Sequence, residues 1–164
     1  MKRILCFILV LTILALSSGC DKNSDNFKMP ANFYYRNASV AFFEDDSIIA
    51  FEVREIAAQK DNLVDLLNTY LDGPISHELV SPFPSGLKAI SAERNDDTLV
   101  ITFNKMFSTL SGLDLTVACS CIYATITELT DCTTVEIKTE GQLPDNVTSI
   151  VLSNEDLLFT DSVE

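Results

Sequence analysis

The chain has 164 residues and carries 24 Asp and Glu against 11 Lys and Arg, which gives a net charge of −13. This excess of negative charge repels phosphate groups, so it argues against nucleic acid and anionic lipid head groups as partners of the folded part. The length suits one domain with its own hydrophobic core.

The first twenty residues have the layout of a bacterial export signal. Two basic residues precede an apolar run from Ile4 to Leu16, which as a helix would reach only about 20 Å and cannot span roughly 30 Å of bilayer hydrocarbon. The run ends in Leu-Ser-Ser-Gly-Cys at 16–20, which resembles a bacterial lipobox. The resemblance implies that Cys20 is lipidated and that residues 1–19 are removed. The alternative is an ordinary signal peptide whose cysteine carries no lipid.

Lipidation of Cys20 would hold the protein at the extracytoplasmic face of the cell membrane, since two acyl chains are enough for stable anchoring. Residues 20–31 are polar and lack a periodic apolar pattern, which predicts a flexible linker. A flexible tether of about eleven residues reaches roughly 17–20 Å, so the domain would sit just off the membrane.

Aromatic and β-branched residues dominate the start of the domain, over Asn32–Arg36, Ser39–Phe43 and Ile48–Val53. This composition predicts β-strands. The acidic stretch Glu44–Ser47 lies where a turn is needed. Asp and Ser stabilise turns through side-chain bonds to the backbone, and the ligand spacing and glycine of a calcium loop are missing. The stretch is therefore predicted to be a hairpin turn.

The segment Lys60–Leu71 changes to a helical period, because its apolar residues recur at intervals of three and four. Asp61 or Asn62 can cap the start of this helix, and Gly73 followed by Pro74 ends it. We therefore predict an amphipathic helix with one buried face.

A connector rich in proline follows over residues 81–86, and we expect it to be exposed. Beyond it, Leu87–Arg94 and Thr98–Phe103 are predicted to form a second hairpin around a turn at 95–97, because Leu99, Ile101 and Phe103 alternate with polar residues.

The second predicted helix is Leu113–Leu129, whose broad and nearly uncharged apolar stripe indicates burial against a sheet. The alternating segment Thr134–Thr139 predicts another strand. From Val147 onward we predict a weak strand, followed by an acidic tail over 153–164. Together these elements predict an α+β domain over 32–152, with an antiparallel or mixed sheet of hairpins packed against two helices.

Three cysteines lie within the domain, Cys119, Cys121 and Cys132. An odd number leaves three interpretations: buried thiols, one bridge to Cys132, or a metal or redox site. Residues two apart on a helix point to different faces, which disfavours a zinc pair at Cys119 and Cys121.

The sequence contains no recognised catalytic motif. Its single histidine, His77, has no Gly-x-Ser-x-Gly partner motif, and no Cys-x-x-Cys, His-Glu-x-x-His or phosphate-binding glycine loop is present. The many carboxylates leave a glycosidase-type acid pair open. We therefore predict no catalytic, cofactor-binding or metal-binding residue.

Several short motifs stand in a fixed order along the chain: Leu-Asp-Gly-Pro at 71–74, Leu-Val-Ser-Pro-Phe-Pro-Ser-Gly at 79–86, Leu-Val-Ile-Thr-Phe-Asn at 99–104, Ala-Thr-Ile-Thr-Glu-Leu at 124–129 and Val-Glu-Ile-Lys-Thr-Glu-Gly at 135–141. With the predicted elements, this order resembles a GerMN domain, the domain of the sporulation and germination lipoprotein GerM and of other bacterial envelope lipoproteins. The resemblance implies a compact α+β unit similar to ring-building modules, which presents surfaces to other proteins. GerM has two tandem copies, whereas this chain has length for one.

The expected function is that of a membrane-anchored envelope lipoprotein whose single domain binds another envelope protein, and the resemblance implies a link to sporulation or germination. One alternative is a binding module for a cell-wall glycan or small molecule, which would need a concave pocket with converging polar groups. A second alternative is an envelope hydrolase, which would need a nucleophile or acid pair in a cleft.

Overall fold

The computed structural model describes residues 28–39, 47–57 and 62–156. The elements in chain order are β1 (Lys28–Asn37), β2 (Ile49–Ala57), α1 (Leu63–Leu71), β3 (Leu79–Val80), β4 (Ala89–Asn95), β5 (Thr98–Phe103), α2 (Gly112–Leu129), β6 (Thr134–Thr139) and β7 (Ile150–Leu152). Two short 3₁₀ helices cover Lys105–Thr109 and Pro144–Asn146. The predicted leader, the lipidation site Cys20, the acidic turn at 44–46 and residues 157–164 of the tail lie outside the described residues.

The strands form two sheets, one with the order β2-β1-β3 and one with the order β4-β5-β6-β7. Neighbouring strands are antiparallel except β5 and β6, which are parallel. The helix α2 connects β5 to β6, and parallel neighbours need such a crossover. The prediction of an α+β fold with antiparallel and mixed sheets and two helices is confirmed.

The first hairpin is longer than predicted. Strand β1 begins at Lys28 and pairs with β2 without a break from Lys28↔Ala57 to Arg36↔Ile49. The prediction that residues 28–31 belong to the linker was therefore wrong, because β2 provides backbone partners for them and Ala31 is buried. The predicted strand Ser39–Phe43 falls mostly outside the described residues, and Ser39 itself lies in a bend.

Helix α1 confirms the first helical prediction, including its cap. The side-chain oxygen of Asn62 accepts a hydrogen bond from the Asp65 N–H at 3.3 Å. The helix buries Leu67, Tyr70 and Leu71. It ends before Gly73, whose φ of +106° lies in the left-handed region that favours glycine.

Helix α2 lies in the centre of the domain, as its uncharged stripe predicts. It contacts β1 in the first sheet and β6 in the second, so it joins the two sheets into one core. Ala118, Cys121, Ile122 and Ile126 have no exposed surface. The helix is long and apolar enough to cross a membrane, but 56% of it is buried inside the domain, as in the core helix of a globular protein.

The second sheet contains the second predicted hairpin, in which β4 and β5 are joined by a turn with Asp96 at a φ of +53°. Strand β7 confirms the weak strand predicted after Val147 and pairs with β6. The first residues of the predicted tail form a turn, because the N–H of Ser153 donates to the carboxylate of Asp156 at 2.8 Å.

Candidate interaction surface

A groove runs between helix α1 and the proline connector, and we call it the connector groove. Its volume is about 730 Å³. One wall consists of α1 residues, and the other consists of the connector and the start of β4. The residues that line it include Asp65, Asn68, Thr69, Asp72, Ser81, Phe83, Pro84, Ser85 and Lys88. The connector that the sequence singled out as an exposed feature therefore forms part of an open concave surface.

Hydrogen bonds and an aromatic cluster fix both walls of the connector groove. The side chain of Asn68 donates to the Ala89 C=O at 3.2 Å and accepts from the Ala89 N–H at 3.0 Å, which ties α1 to the edge of β4. The Phe83 ring is buried and meets the Tyr70 ring edge-on at a centroid distance of 5.0 Å. Asn104 holds the connector through a 2.9 Å bond to the Gly86 C=O. The groove is thus shaped before any partner arrives, which lowers the entropy cost of binding.

The connector groove has an acidic and an apolar part. Asp65 and Asp72 lie on the α1 wall, Lys88 lies on the opposite wall, and Leu71 and Leu87 also line the groove. Acidic side chains beside apolar ones are complementary to basic and apolar groups.

A polar cluster of Glu52, Arg54 and Tyr35 holds the loop Gly73–Ser76 against the first sheet. The Ile75 N–H donates to both carboxylate oxygens of Glu52 at 3.0 Å, and the Ser76 N–H donates at 2.8 Å. Arg54 donates to the Gly73 C=O at 2.7 Å and to the Tyr35 hydroxyl at 2.8 Å. These bonds fix the position of the Gly-Pro turn, and therefore the end of α1, on β2.

Both charges of this cluster are largely shielded from solvent. Side chains of Glu52 and Arg54 are 11% and 12% exposed and form an ion pair, and the guanidinium also lies 5.0 Å above the centre of the Phe33 ring. Burial alone would raise the pKa of Glu52, but the N–H donors of Ile75 and Ser76 and the charge of Arg54 outweigh it, so the pKa of Glu52 is lowered. The Glu52 carboxylate therefore stays ionised near neutral pH, where it holds the loop and does not exchange protons.

The lowered pKa of Glu52 predicts a dependence of stability on pH. A carboxyl group with a lower pKa in the folded state stabilises the fold above its ordinary pKa, and this contribution is lost as the pH falls through the folded pKa. We expect the free energy of unfolding to drop on acidification below about pH 4.5, less steeply in Glu52→Gln than in the parent chain. Urea titrations between pH 3 and 7 would measure this, and equal slopes in both proteins would contradict it.

A shallower groove of about 570 Å³ lies beside the C-terminal end of α2, and we call it the tyrosine groove. Tyr34, Tyr123, Glu128, Asp131 and Asn154 are among its lining residues. Glu128 accepts hydrogen bonds from Asn32 at 3.2 Å and from the Tyr34 hydroxyl at 3.4 Å. Burial and the neighbouring Glu128 carboxylate raise the pKa of Tyr34, so this hydroxyl remains protonated.

The remaining residues considered from the sequence form no reactive site. Cys119, Cys121 and Cys132 are free and buried, which agrees with the first of the three interpretations. His77 lies exposed in the loop between α1 and β3. Among the described residues, no group of three or more His, Cys, Asp and Glu side chains is placed to hold a metal ion.

The buried thiols are expected to be unreactive in the folded protein. Burial raises the pKa of both Cys119 and Cys121 to about 12, and only a thiolate attacks a disulfide reagent. At pH 8 we expect the native domain to react with Ellman's reagent at least about 100-fold more slowly than the urea-unfolded chain. A native reaction as fast as that in urea would show that these thiols are reachable.

Sequence reasoning missed the pair Glu52 and Arg54. Alternation along β2 places the charged residues on one face and Phe51 and Val53 on the other, and an apolar core normally takes the apolar face. The available signal was the Gly-Pro turn after α1, whose N–H and C=O groups need partners once the loop packs on a sheet.

Comparison with known proteins identifies relatives of the domain. A family model described as Germane, sporulation and spore germination, matches residues 32–145. The tandem GerMN domains of the sporulation protein GerM from Bacillus subtilis superpose with a TM-score of 0.60 at 20% identity, over 83% of this chain and 49% of that one. This chain therefore spans about half the length of that structure.

The first GerMN domain of the same Bacillus subtilis protein superposes with a TM-score of 0.58 at 16% identity, over 78% of this chain and 99% of that one. The TM-scores show that the fold is shared. At identities of 20% and 16%, the two solved structures show nothing beyond the fold. No curated protein matches the chain.

Proposed function

The chain belongs to the Germane family, described as sporulation and spore germination, and from that premise we propose that its GerMN-like domain binds another protein of the bacterial envelope. In this proposal, lipid on Cys20 anchors the protein at the extracytoplasmic face of the cell membrane. The domain acts by binding and carries no enzymatic activity, cofactor or metal ion.

One observation carries the proposal: the connector groove is open and rigid, and its wall is the connector through which the sequence resembles GerMN domains. Phe83 buries its ring beneath the connector and Asn104 bonds its backbone, so the groove keeps its shape without a ligand. Such a surface recognises a partner and needs no reacting group. The acidic wall formed by Asp65 and Asp72 supports a partner segment with basic side chains.

The groove can be tested by photo-crosslinking of the full chain in its own cells. A benzophenone amino acid at Ser85, which is exposed in the groove, is expected to capture one envelope protein. The same amino acid at Val151, which is 56% exposed on the second sheet, serves as the matched control. Asp72→Lys reverses a charge on the α1 wall, and we expect it to reduce the Ser85 adduct by about tenfold or more.

Mass spectrometry of the adducts decides the outcome. An adduct from Ser85 alone, weakened by Asp72→Lys, supports recognition at the connector groove. Equal adducts from Ser85 and Val151, or none from Ser85 in cells that contain the protein, would rule this groove out as the binding surface.

The anchor needs a separate test, because Cys20 lies outside the described residues. Metabolic labelling with an alkyne analogue of palmitate is expected to mark the parent protein and leave Cys20→Ala unmarked. If the label persists in Cys20→Ala, or is missing from the parent protein, the anchor is placed wrongly while the groove proposal stands.

A glycan-binding module remains the second candidate, because the tyrosine groove combines ring edges with carboxylate and hydroxyl groups. Co-sedimentation with purified cell-wall sacculi tests it, with Glu128→Ala as the groove variant and Asp114→Ala on the opposite end of α2 as the control. Sedimentation that Glu128→Ala abolishes and Asp114→Ala preserves would favour the glycan.

The hydrolase alternative has less support. It requires a titratable group aimed into a cleft with a pKa suited to proton transfer. Glu52 has a lowered pKa and gives its oxygens to loop N–H groups, and the raised pKa values of Tyr35 and Tyr70 come mainly from burial.

A further inference from the structure

Strand β2 lies at the edge of the first sheet. It pairs with β1 along its whole length, from Ile49 to Ala57, without a bulge. Among the described residues, no strand pairs with its outer side. Natural edge strands are usually shortened, kinked or interrupted by proline, which prevents pairing with another chain. Strand β2 has no proline, kink or bulge, and its inward charges Glu52 and Arg54 are held by contacts within the domain.

Hydrogen bonds made by β1 show which N–H and C=O groups of β2 point outward to this edge. The Tyr34 N–H donates to Thr125 Oγ1 at 2.9 Å, and the Tyr34 C=O accepts from the Tyr70 hydroxyl at 2.7 Å. Both groups therefore point away from β2. Since Tyr34 lies opposite Phe51, the two form a non-hydrogen-bonded pair, and the N–H and C=O of Phe51 point outward to the open edge.

The alternation of an antiparallel ladder gives Val53 and Glu55 the same outward direction. Pro30, which has no N–H, lies opposite Glu55, in agreement with this assignment. Phe51 and Val53 also expose 52% and 60% of their surface. Within the part of the chain that the structure describes, the edge thus offers a row of unpaired backbone groups next to exposed apolar side chains.

We propose that this edge pairs with β2 of a second copy of the chain, antiparallel, about a two-fold axis at Val53. The axis at Val53 is the midpoint of Ile49–Ala57, so this register alone pairs every residue of the strand. It also places Glu52 opposite Arg54 of the second copy, and Arg54 opposite its Glu52. The register therefore puts no like charges in facing positions, where they would destabilise the pairing.

Two-fold axes at neighbouring residues give less favourable pairings, because they bring like charges together or leave part of the strand unpaired. An axis at Glu52 would place two glutamates opposite each other, and an axis at Phe51 would leave the end of the strand unpaired. With the axis at Val53, the Phe51 side chains lie diagonally across from Val53 of the other copy, within reach of an apolar contact on the same face of the sheet. The two sheets then join into one of six strands. This surface is separate from the connector groove, so neither proposal depends on the other.

Cysteine crosslinking of the full chain in membranes tests the register. Facing residues in a hydrogen-bonded antiparallel pair have Cα atoms about 5.5 Å apart, within the range that a disulfide spans. Val53→Cys is therefore expected to give a covalent dimer on mild oxidation. Phe51→Cys is the matched control at the same edge, because its two copies would lie more than about 10 Å apart along the strands. Native thiols Cys119, Cys121 and Cys132 are buried.

Sedimentation of the purified full chain in mild detergent measures association without a crosslink. We expect a dimer that Val53→Lys weakens at least tenfold, and that Val151→Lys leaves unchanged. Because Val53 is exposed in the single copy, the lysine does not disturb the monomer fold. A parent chain that sediments as a monomer, a dimer that survives Val53→Lys, or equal crosslinking at Val53 and Phe51 would each overturn the proposal.

Discussion

Replacing Arg54 by methionine is expected to lower the free energy of unfolding by about 1–3 kcal/mol, which is the usual cost of leaving partly buried hydrogen-bonding groups without their partner. The guanidinium bonds the Gly73 C=O and the Tyr35 hydroxyl at 2.7 and 2.8 Å. Without it, the Glu52 carboxylate keeps its loop contacts but loses its counter-ion. Urea denaturation at low protein concentration measures the loss without a contribution from association.

The matched control is Lys28→Met, which removes an exposed ion pair of the same hairpin. Lys28 and Glu55 are 61% and 72% exposed and 3.6 Å apart. Exposed pairs contribute about 0–1 kcal/mol, so this variant should be nearly as stable as the parent. If Arg54→Met costs no more than Lys28→Met, the loop is not held by the buried pair.

The double variant Glu52→Gln with Arg54→Met separates the pair from its surroundings. Removing both charges leaves no unpaired ion in a poorly solvated site, so part of the loss from Arg54→Met should be regained. The N–H groups of Ile75 and Ser76 would still find an acceptor in the glutamine oxygen. Additive losses from the two single changes would mean that the charges act separately.

Helices and hairpins of this domain could be predicted because their signals are local. Asn62 caps α1 and Gly73 ends it, and both roles follow from the chemistry of a helix terminus. The uncharged stripe of α2 indicated burial, although it could not tell that the helix contacts two sheets. The strand-helix-strand order of β5, α2 and β6 implies parallel pairing, but the separation into two sheets depends on which edges meet.

The face of β2 could not be predicted, because the pattern of its side chains is inverted. Phe51 and Val53 face outward while Glu52 and Arg54 face the protein. Charged residues take the inner face because the loop Gly73–Ser76 offers N–H and C=O groups there, a long-range contact without a periodic signal. The same inversion leaves the apolar residues of β2 exposed, next to the edge that we propose to pair.

The connector groove also could not be predicted in full from the sequence. Its proline pattern marked an exposed segment, yet the wall opposite depends on Asn68, whose amide reaches across to Ala89. An asparagine within a helical pattern normally indicates a solvated position. In the structure, the Asn68 amide bonds the backbone of Ala89 as a neighbouring strand would. This role follows only from the packing of α1 against β4.

Thr125→Val is expected to destabilise the domain by about 1–3 kcal/mol, although it changes the side-chain volume little. Thr125 is a fully buried polar residue of α2, and its hydroxyl oxygen accepts from the Tyr34 N–H at 2.9 Å. Valine cannot accept this bond, so an N–H on the covered edge of β1 would be left without a partner. Urea denaturation gives the loss, and hydrogen exchange at the Tyr34 amide should accelerate.

Thr116→Val provides the comparison within the same helix. Thr116 is exposed and bonds the Gly112 C=O one turn earlier, so its replacement should change stability by less than about 0.5 kcal/mol. The difference between the two variants therefore measures the contribution of the buried Thr125 hydroxyl, which bonds the Tyr34 N–H and the Tyr70 side chain. Equal stabilities would mean that α2 covers β1 through apolar packing alone. A loss confined to Thr125→Val would mean that its hydroxyl satisfies the backbone of β1 on the side away from β2. The outer side of β2, by contrast, has no strand partner among the described residues.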